Sequence, residues 1–404
     1  MFHRQKNMNI GIYLGNNLSE TGGGFTFQED IIRAILAHET VHKFFIFCPK
    51  REELRSSNPN VKIIALKNGH LDKIARRLVK IWHKACYSLL GVNLFPYKSG
   101  FDSLLKKHKI DLLWFVTPEY EDTEIPFIIT VWDLQHRLQP FFPEVSVGYD
   151  GYEWERRERY YRSILPRAAY ILTGTQEGKH ELMRFYNISE DRIKVLPLPT
   201  PAFTLRENDN RIKPELKLPD KYLFYPAQFW PHKNHIILLY AIKILKEKHH
   251  LNFAVVFSGS DKGNLQYIKD KTKELNLTKK VFFPGFVTRE ELVRLYKNAF
   301  ALVFPSLFGP DNLPPLEAMA CGCPVIAGDV AGAKEQLADA ALLVNHTSEK
   351  EVAYAINLLF RNNNLREKLI KKGYERAVRW TSGNYMKSIY KILDEFKLYR
   401  RCWM

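Results

Sequence analysis

The sequence predicts an α/β protein made of two doubly wound domains, and three observations support this prediction. The chain has 404 residues, which exceeds one average domain and favours two domains of about 150–200 residues each. Strand-like apolar runs alternate with helical patterns throughout, as in parallel sheets whose strands are joined by helices. The proline-rich stretch 196–203 and the polar stretch 206–219 interrupt this alternation, because closely spaced prolines fit neither a central strand nor a helix interior.

The predicted strands lie on both sides of the interruption. In the first half they are 9–14, 44–48, 61–66, 111–116, 127–131, 170–173 and 193–196. In the second half they are 222–225, 253–257, 281–283, 301–304, 325–327 and 341–344. The region 365–404 is predicted to be helical, with a break near Trp380.

The composition is that of an ordinary globular protein, since 46% of the residues are hydrophobic and 26% are charged. The sequence contains no apolar run of about 18 residues that would predict a membrane-spanning helix, and its start lacks the apolar core of a signal peptide. Five scattered cysteines are typical of a reduced cytosolic protein, and their spacing does not predict a metal site. We therefore expect a cytoplasmic protein.

The formal net charge of +16 predicts an anionic partner. Phosphorylated substrates and anionic lipids both satisfy this expectation. Nucleic acid is disfavoured, because neither a zinc-finger spacing nor an aromatic RNA-binding signature accompanies the charge.

A basic amphipathic segment at 73–89 could meet a lipid surface. Its apolar residues follow helical spacing around Trp82, and the basic residues fall on another face, namely Lys73, Arg77, Lys80 and Lys84. An anionic membrane surface attracts such a helix, which would place the protein peripherally at the inner face of the membrane. An ordinary docked helix with a solvated charged face is the alternative interpretation.

The segment 301–329 is the most informative part of the chain. An apolar strand at 301–304 leads into turn residues, and Pro314 and Pro315 suit the first turn of a helix that Gly322 ends. A helix that begins beyond the carboxyl end of a buried strand directs backbone N–H groups and partial positive charge into the crevice, where phosphate binds. Glu317, expected in the first turn, can accept hydrogen bonds from sugar hydroxyls. Together these features indicate a nucleotide or a nucleotide sugar.

The run Leu-Pro-Pro-Leu-Glu-Ala-Met-Ala-Cys-Gly-Cys-Pro-Val-Ile-Ala at 313–327 resembles the signature of the retaining GT-B glycosyltransferases of family 4, also called group 1. The resemblance implies two Rossmann-like domains that face each other across a cleft. They would span 1–198, on the acceptor side, and 199–380, on the nucleotide-sugar side. A C-terminal helix at 381–404 would cross back to the first domain. The family commonly carries Glu-x7-Glu, whereas here Gly309 precedes Glu317 and Asp311 is the nearest carboxylate.

The resemblance also assigns residues to the donor. It places a glycine loop with Gly23 and Gly24 near the diphosphate, and loops with Gly259, Phe286 and Val287 around the nucleotide. Lys233 matches a lysine that contacts the diphosphate, while Gln228 stands where arginine is usual. A lysine at a helix start opposes the helix dipole, so an anion explains its position better than solvent does. Asn312, Leu313 and Glu317 complete the predicted donor site.

On the acceptor side, the strand at 127–131 resembles the family strand that ends in His-Asp, with Trp132 at the histidine position and Asp133 retained. Trp132 has only an N–H to donate and cannot accept a proton, but it can stack on a sugar ring or fill the cleft wall. We predict that Asp133 orients the acceptor. His136 lies three residues further on, and either an acceptor-side role or a structural role fits it.

These features predict a retaining, metal-independent glycosyltransferase without a cofactor. It would move a hexosyl group from a nucleotide diphosphate sugar to a hydroxyl of a glycan or a lipid-linked glycan. Lys233 and the N–H groups at 312–313 would neutralise the leaving diphosphate. Resemblance to polysaccharide mannosyltransferases suggests GDP-mannose as the donor. The alternatives are a GT-B-fold nucleotide-sugar epimerase and a non-catalytic nucleotide-sugar-binding partner, because Gly309, Gln228 and Trp132 replace expected polar residues.

Overall fold

A computed structural model describes residues 7–15, 22–37, 40–49, 55–66, 100–146, 152–206, 218–219 and 221–403 of the chain. The statements below concern these residues. The predicted basic helix at 73–89 lies outside them. Within the described ranges, none of the helices combines the length and the apolarity that crossing a bilayer requires.

The first half contains a parallel sheet with seven described strands. They are β1 (Asn9–Tyr13), β2 (Lys43–Cys48), β3 (Val61–Ala65), β4 (Leu112–Phe115), β5 (Phe127–Thr130), β6 (Tyr170–Thr173) and β7 (Ile193–Val195). Their spatial order is β3-β2-β1-β4-β5-β6-β7, so the direction of winding reverses between β1 and β4. Ligands of open α/β sheets bind outside the carboxyl ends of the strands at such a reversal.

Helices cover both faces of this sheet. They are α1 (Gly23–Ala37), α2 (Gly100–Lys107), α3 (Gln135–Leu138), α4 (Pro143–Ser146), α5 (Glu153–Ile164) and α6 (Gln176–Tyr186). Alternate residues of β4 enter different cores, with Leu112 and Trp114 on one face and Leu113 and Phe115 on the other. Burial on both faces explains why this strand is a continuous apolar run rather than an alternating one.

The second half repeats the architecture with six described parallel strands. They are β8 (Tyr222–Pro226), β9 (Ala254–Ser258), β10 (Val281–Gly285), β11 (Ala301–Phe304), β12 (Val325–Gly328) and β13 (Ala341–Val344), in the order β10-β9-β8-β11-β12-β13. The accompanying helices are α7 (His235–His249), α8 (Leu265–Glu274), α9 (Arg289–Asn298), α10 (Leu313–Ala320), α11 (Ala333–Leu337), α12 (Glu349–Arg361) and α13 (Asn363–Arg379). The reversal here falls between β8 and β11. The predicted fold class is confirmed, and every predicted strand is present with ends that shift by no more than two residues.

The last helix, α14 (Ser382–Arg400), packs against the core of the first sheet. Its buried residues follow helical spacing and form one apolar stripe, which consists of Tyr385, Met386, Ile389, Ile392, Leu393 and Phe396. The Tyr385 ring meets Phe27 of α1 edge-on, with centroids 5.5 Å apart. The chain therefore returns to its first half after building the second sheet.

Replacement of Leu393 with alanine tests this packing. Leu393 is fully buried in the first core, so Leu393→Ala should lower the free energy of unfolding by about 2–5 kcal/mol, measured by urea denaturation. The matched control is Leu398→Ala in the same helix, because Leu398 is 52% exposed and should change stability by only about 0.5 kcal/mol. Equal effects of the two substitutions would contradict the docking of α14.

Candidate active site

The carboxyl ends of the two sheets face each other across a cleft of about 1160 Å³. The cleft is lined by the start of α1, by the loop after β5, and by the loops after β8, β9, β10 and β11. Ligand pockets of proteins usually measure about 300–1,000 Å³, so this cleft has room for an extended ligand or for two ligands side by side.

The structure brings together in this cleft all but one of the predicted site residues. Those that line it are Gly23, Gly24, Asp133, Gln228, Lys233, Gly259, Phe286, Val287, Asn312, Leu313 and Glu317. Trp132 lines it as well and meets Phe27 edge-on at 6.1 Å, so the indole forms part of the cleft wall. The exception is His136.

His136 is a core residue of the first half, which is a correction to the predicted acceptor-side role. Its side chain is fully buried, its Nε2 lies 2.9 Å from the Tyr186 hydroxyl, and its ring stacks on Tyr161 at 5.5 Å. Burial lowers the pKa of His136 to about 4, so the ring is neutral near pH 7. The short helix α3 turns His136 inward, whereas its neighbour Gln135 lines the cleft.

Lys233 ends a short 3₁₀ turn, Pro231–Lys233, whose backbone is held firmly. The Tyr225 hydroxyl donates to the Lys233 carbonyl at 2.6 Å. The following residue, Asn234, has a left-handed backbone (φ 55°), and its amide donates to the carbonyls of Pro305 and His346 at 3.1 and 2.7 Å. The lysine is thus anchored to the loops that follow β11 and β13.

The ammonium group of Lys233 is half-buried and lies beside an aromatic ring and a hydroxyl. Its Nζ lies 5.4 Å from the centroid of the Phe304 ring and 3.5 Å from Ser306 Oγ. Burial lowers the pKa of Lys233 to about 8. No carboxylate among the described residues forms an ion pair with it, so an anion in the cleft would meet a cation that is only partly compensated.

Gly259 lets two donor-side loops pass close to each other. Its φ is +148°, and a Cβ at this position would lie 2.3 Å from the carbonyl oxygen of Ala227. The adjacent Gln228 is fixed by Trp230, whose indole N–H donates to Gln228 Oε1 at 3.0 Å. The loop after β8 is therefore ordered around an amide at the position where the family has a guanidinium.

Glu317 is buried and lies in the second turn of α10, not in the first turn as predicted. Its Oε2 accepts a hydrogen bond of 2.7 Å from the Tyr296 hydroxyl, and burial raises its pKa to about 7. The start of α10 offers fewer donors than predicted, because the Asn312 N–H already donates to Gln336 Oε1 at 3.1 Å and the next two residues after Leu313 are prolines. Leu313 retains the N–H group that can face an anion.

Asp133 follows β5 and faces the cleft from the first half. Its Oδ1 accepts a hydrogen bond of 3.0 Å from the Gln135 N–H and lies 3.7 Å from the Arg157 guanidinium. Arg157 in turn donates to Glu153 Oε1 at 2.8 Å, and Arg156 donates to the same carboxylate at 2.7 Å. Asp133 therefore lies next to a group of paired charged side chains, which we call the charged wall and which consists of Glu153, Arg156 and Arg157.

Sequence reasoning missed this wall. Glu153, Arg156 and Arg157 belong to α5 and line the cleft, as does Glu144 of α4, which forms a hydrogen bond with His232 of the second half. The i,i+3 and i,i+4 charge pairs of α5 are visible in the sequence, but the same pattern is typical of a solvated helix face. Only the tertiary arrangement turns that face toward the cleft.

Two doubly wound domains that face each other across a cleft, with a last helix that returns to the first domain, define the GT-B class of glycosyltransferase folds. Residues 206–376 match the family model described as glycosyl transferases group 1. The resemblance to group 1 glycosyltransferases of the GT-B fold is therefore confirmed, and the match to the family model lies in the second half of the chain.

Known proteins agree with this assignment. The chain is 30% identical over 226 residues to the O-antigen chain mannosyltransferase RfbU of Salmonella typhimurium, an alignment that covers 55% of this chain and 58% of that protein. It is 26% identical over 267 residues to O-antigen chain mannosyltransferase B of Escherichia coli, which covers 62% and 69% of the two chains. Sucrose-phosphate synthase from Thermosynechococcus elongatus shares the fold with a TM-score of 0.71 at 18% identity, over 96% of this chain and 100% of that one.

A glycine-to-alanine pair tests the close approach of the donor-side loops. Gly259→Ala should lower the free energy of unfolding by about 1–3 kcal/mol more than Gly263→Ala, measured by urea denaturation. Both glycines have positive φ, but a Cβ at Gly263 meets nothing within 4 Å, so the difference isolates the clash with Ala227. Equal destabilisation by the two substitutions would show that the loops separate freely.

Proposed function

We propose that the protein is a retaining, metal-independent glycosyltransferase that moves a mannosyl group from GDP-mannose to a hydroxyl of a glycan or lipid-linked glycan. The observation that carries the proposal is the half-buried Lys233 ammonium in a cleft that also holds Glu317 and Asp133. A partly compensated cation suits a diphosphate, and carboxyl groups suit sugar hydroxyls.

On the donor side, Lys233 neutralises the charge that grows on the leaving diphosphate, and the Leu313 N–H adds a second positive dipole. Phe286, which is 54% exposed, and Val287 border the nucleoside. Glu317 holds hydroxyls of the ribose or the sugar. Because Lys233 is anchored by its backbone, its charge is in place before the bond breaks, which is the condition under which electrostatic stabilisation is strongest.

On the acceptor side, Asp133 orients the attacking hydroxyl. The bond from the sugar C1 to the diphosphate oxygen breaks, and a bond from C1 to the acceptor oxygen forms on the same face of the ring. The hydroxyl proton passes to the departing diphosphate oxygen. Because the new bond forms on the face that the diphosphate leaves, the anomeric configuration is retained. Arg157, 3.7 Å from Asp133, places a positive charge beside that carboxylate on the acceptor side of the cleft.

The mannosyl donor and the glycan acceptor are supported by the relatives, which are named O-antigen chain mannosyltransferases. The chain spans 58% of the length of RfbU in the alignment.

A pH titration of nucleotide binding tests the role of Lys233. Below its pKa of about 8 the ammonium is charged and attracts the diphosphate; above it the amine is neutral. The affinity for GDP should therefore fall about tenfold from pH 7 to pH 9, measured by titration calorimetry. Lys233→Met should bind GDP weakly at both pH values, while Lys246→Met, at an exposed site in α7, should behave like the native protein. The same pH dependence in Lys233→Met would assign the titration to another group.

Transfer assays with GDP-mannose and an alkyl mannoside test the reaction and the role of Asp133. Asp133→Asn should lower kcat by about 10²-fold or more and leave the affinity for GDP-mannose within about twofold, because Asp133 contacts the acceptor and not the donor. Asp191→Asn, at an exposed site on the same domain, is the control. A parallel loss of donor affinity would remove Asp133 from the acceptor side.

The same assay separates the alternatives. A transferase releases GDP in proportion to the glycoside formed, with retained configuration and no inhibition by EDTA. An epimerase converts the nucleotide sugar without an acceptor, and a binding partner turns over nothing. Either of these outcomes would overturn the proposed function.

A further inference from the structure

The loop between β11 and α10 lacks the first carboxylate of the family pattern, and another side chain occupies the space beside that position. Gly309 has a φ of +127°, and a Cβ built on it would lie 2.6 Å from both Nδ2 and Oδ1 of Asn312. A larger residue at 309 and the present position of the Asn312 amide are mutually exclusive. The amide thus lies in the part of the cleft that a side chain at 309 would enter.

Asn312 is held there by three hydrogen bonds. Its N–H donates to Gln336 Oε1 at 3.1 Å, and its carbonyl accepts from Gln336 Nε2 at 2.8 Å. Its side-chain Nδ2 donates to the Gly309 carbonyl at 2.6 Å. The last bond fixes the orientation of the amide, because only the nitrogen can donate to a carbonyl oxygen. Asn312 lines the cleft, and Oδ1 is the acceptor atom of its side chain.

The nearest carboxylate, Asp311, cannot take over the missing role. Its Oδ2 accepts a hydrogen bond of 2.6 Å from the N–H of Leu198 in the first half, and its Oδ1 accepts from Gln336 Nε2. Both oxygens are therefore engaged at the junction between the halves. Of the two candidates next to Gly309, Asn312 is the one with an acceptor to offer.

We propose that Asn312 is a residue that determines donor specificity, and that its Oδ1 accepts a hydrogen bond from a hydroxyl of the donor sugar. The proposal rests on the proposed function. In this arrangement the neutral amide of Asn312 takes the place of the charged carboxylate that the family carries eight residues before Glu317. The amide approaches the sugar from a different backbone position. Asn312 and Glu317 then hold the hexose between them, while Lys233 meets the diphosphate.

The test compares binding of a nucleotide with binding of the same nucleotide carrying its sugar. The affinities of native protein and Asn312→Ala are measured for GDP and GDP-mannose, and for UDP and UDP-glucose, by titration calorimetry. Asn312→Ala should weaken binding of the accepted nucleotide sugar about 5–10-fold, the loss of one hydrogen bond, and leave binding of the nucleoside diphosphate within about twofold. Asn298→Ala, an exposed residue of the same domain, should change neither affinity.

The nucleoside diphosphate measurement also reports folding, since a misfolded variant loses both ligands. Unchanged affinity of Asn312→Ala for the nucleotide sugar would overturn the proposal. So would an equal loss for nucleotide and nucleotide sugar, because it would assign Asn312 to the shape of the loop. Native protein that binds none of the four ligands would instead overturn the proposed function itself.

Discussion

The cleft keeps its shape because the half-buried carboxylate of Asp311 joins the two halves of the molecule. It accepts the N–H of Leu198, in the connection that leaves the first sheet, and is held from the other side by Gln336 of α11. Burial raises the pKa of Asp311 to about 7, so the hydrogen bonds must offset a real cost of desolvation. The same loop carries Asn312 and Leu313, and its position across the cleft follows from this junction.

The three departures from the family pattern all lie in this cleft, and each changes which polar groups the cleft offers to a ligand. Gly309, Gln228 and Trp132 replace two charged side chains and one ionisable ring with a glycine, an amide and an indole. Each replacement is accompanied by local order, since Asn312 fills the space at Gly309, Trp230 fixes Gln228, and Trp132 packs on Phe27. This order favours a site with a different set of contacts over one that has decayed. Lys233 is left to supply more of the positive charge.

The fold could be predicted from sequence almost completely because strands buried on both faces are continuous apolar runs, as in Leu112–Phe115. The gathering of the predicted donor-side residues in one cleft could be predicted as well, since loops at the carboxyl ends of parallel strands converge. The inward orientation of the His136 side chain and the helical turn in which Glu317 lies could not be predicted from the sequence, because each depends on where a short helix begins. The charged residues of α5 could not be assigned to the cleft for another reason. Tertiary packing, and not the charge pattern of the helix itself, decides which side of α5 faces the cleft.

The position of the half-buried Lys233 also depends on how the two halves of the molecule are arranged. His232 and Lys233 share one 3₁₀ turn, and His232 Nδ1 bonds to Glu144 of the first half. Burial lowers the pKa of His232, so the neutral ring donates its N–H to a carboxylate whose own pKa is lowered by that bond. Under the proposed function, a diphosphate bound in the cleft would offset the free energy that partial desolvation of Lys233 costs. Because the turn is fixed from across the cleft, that charge is fully positioned only when the two halves are together.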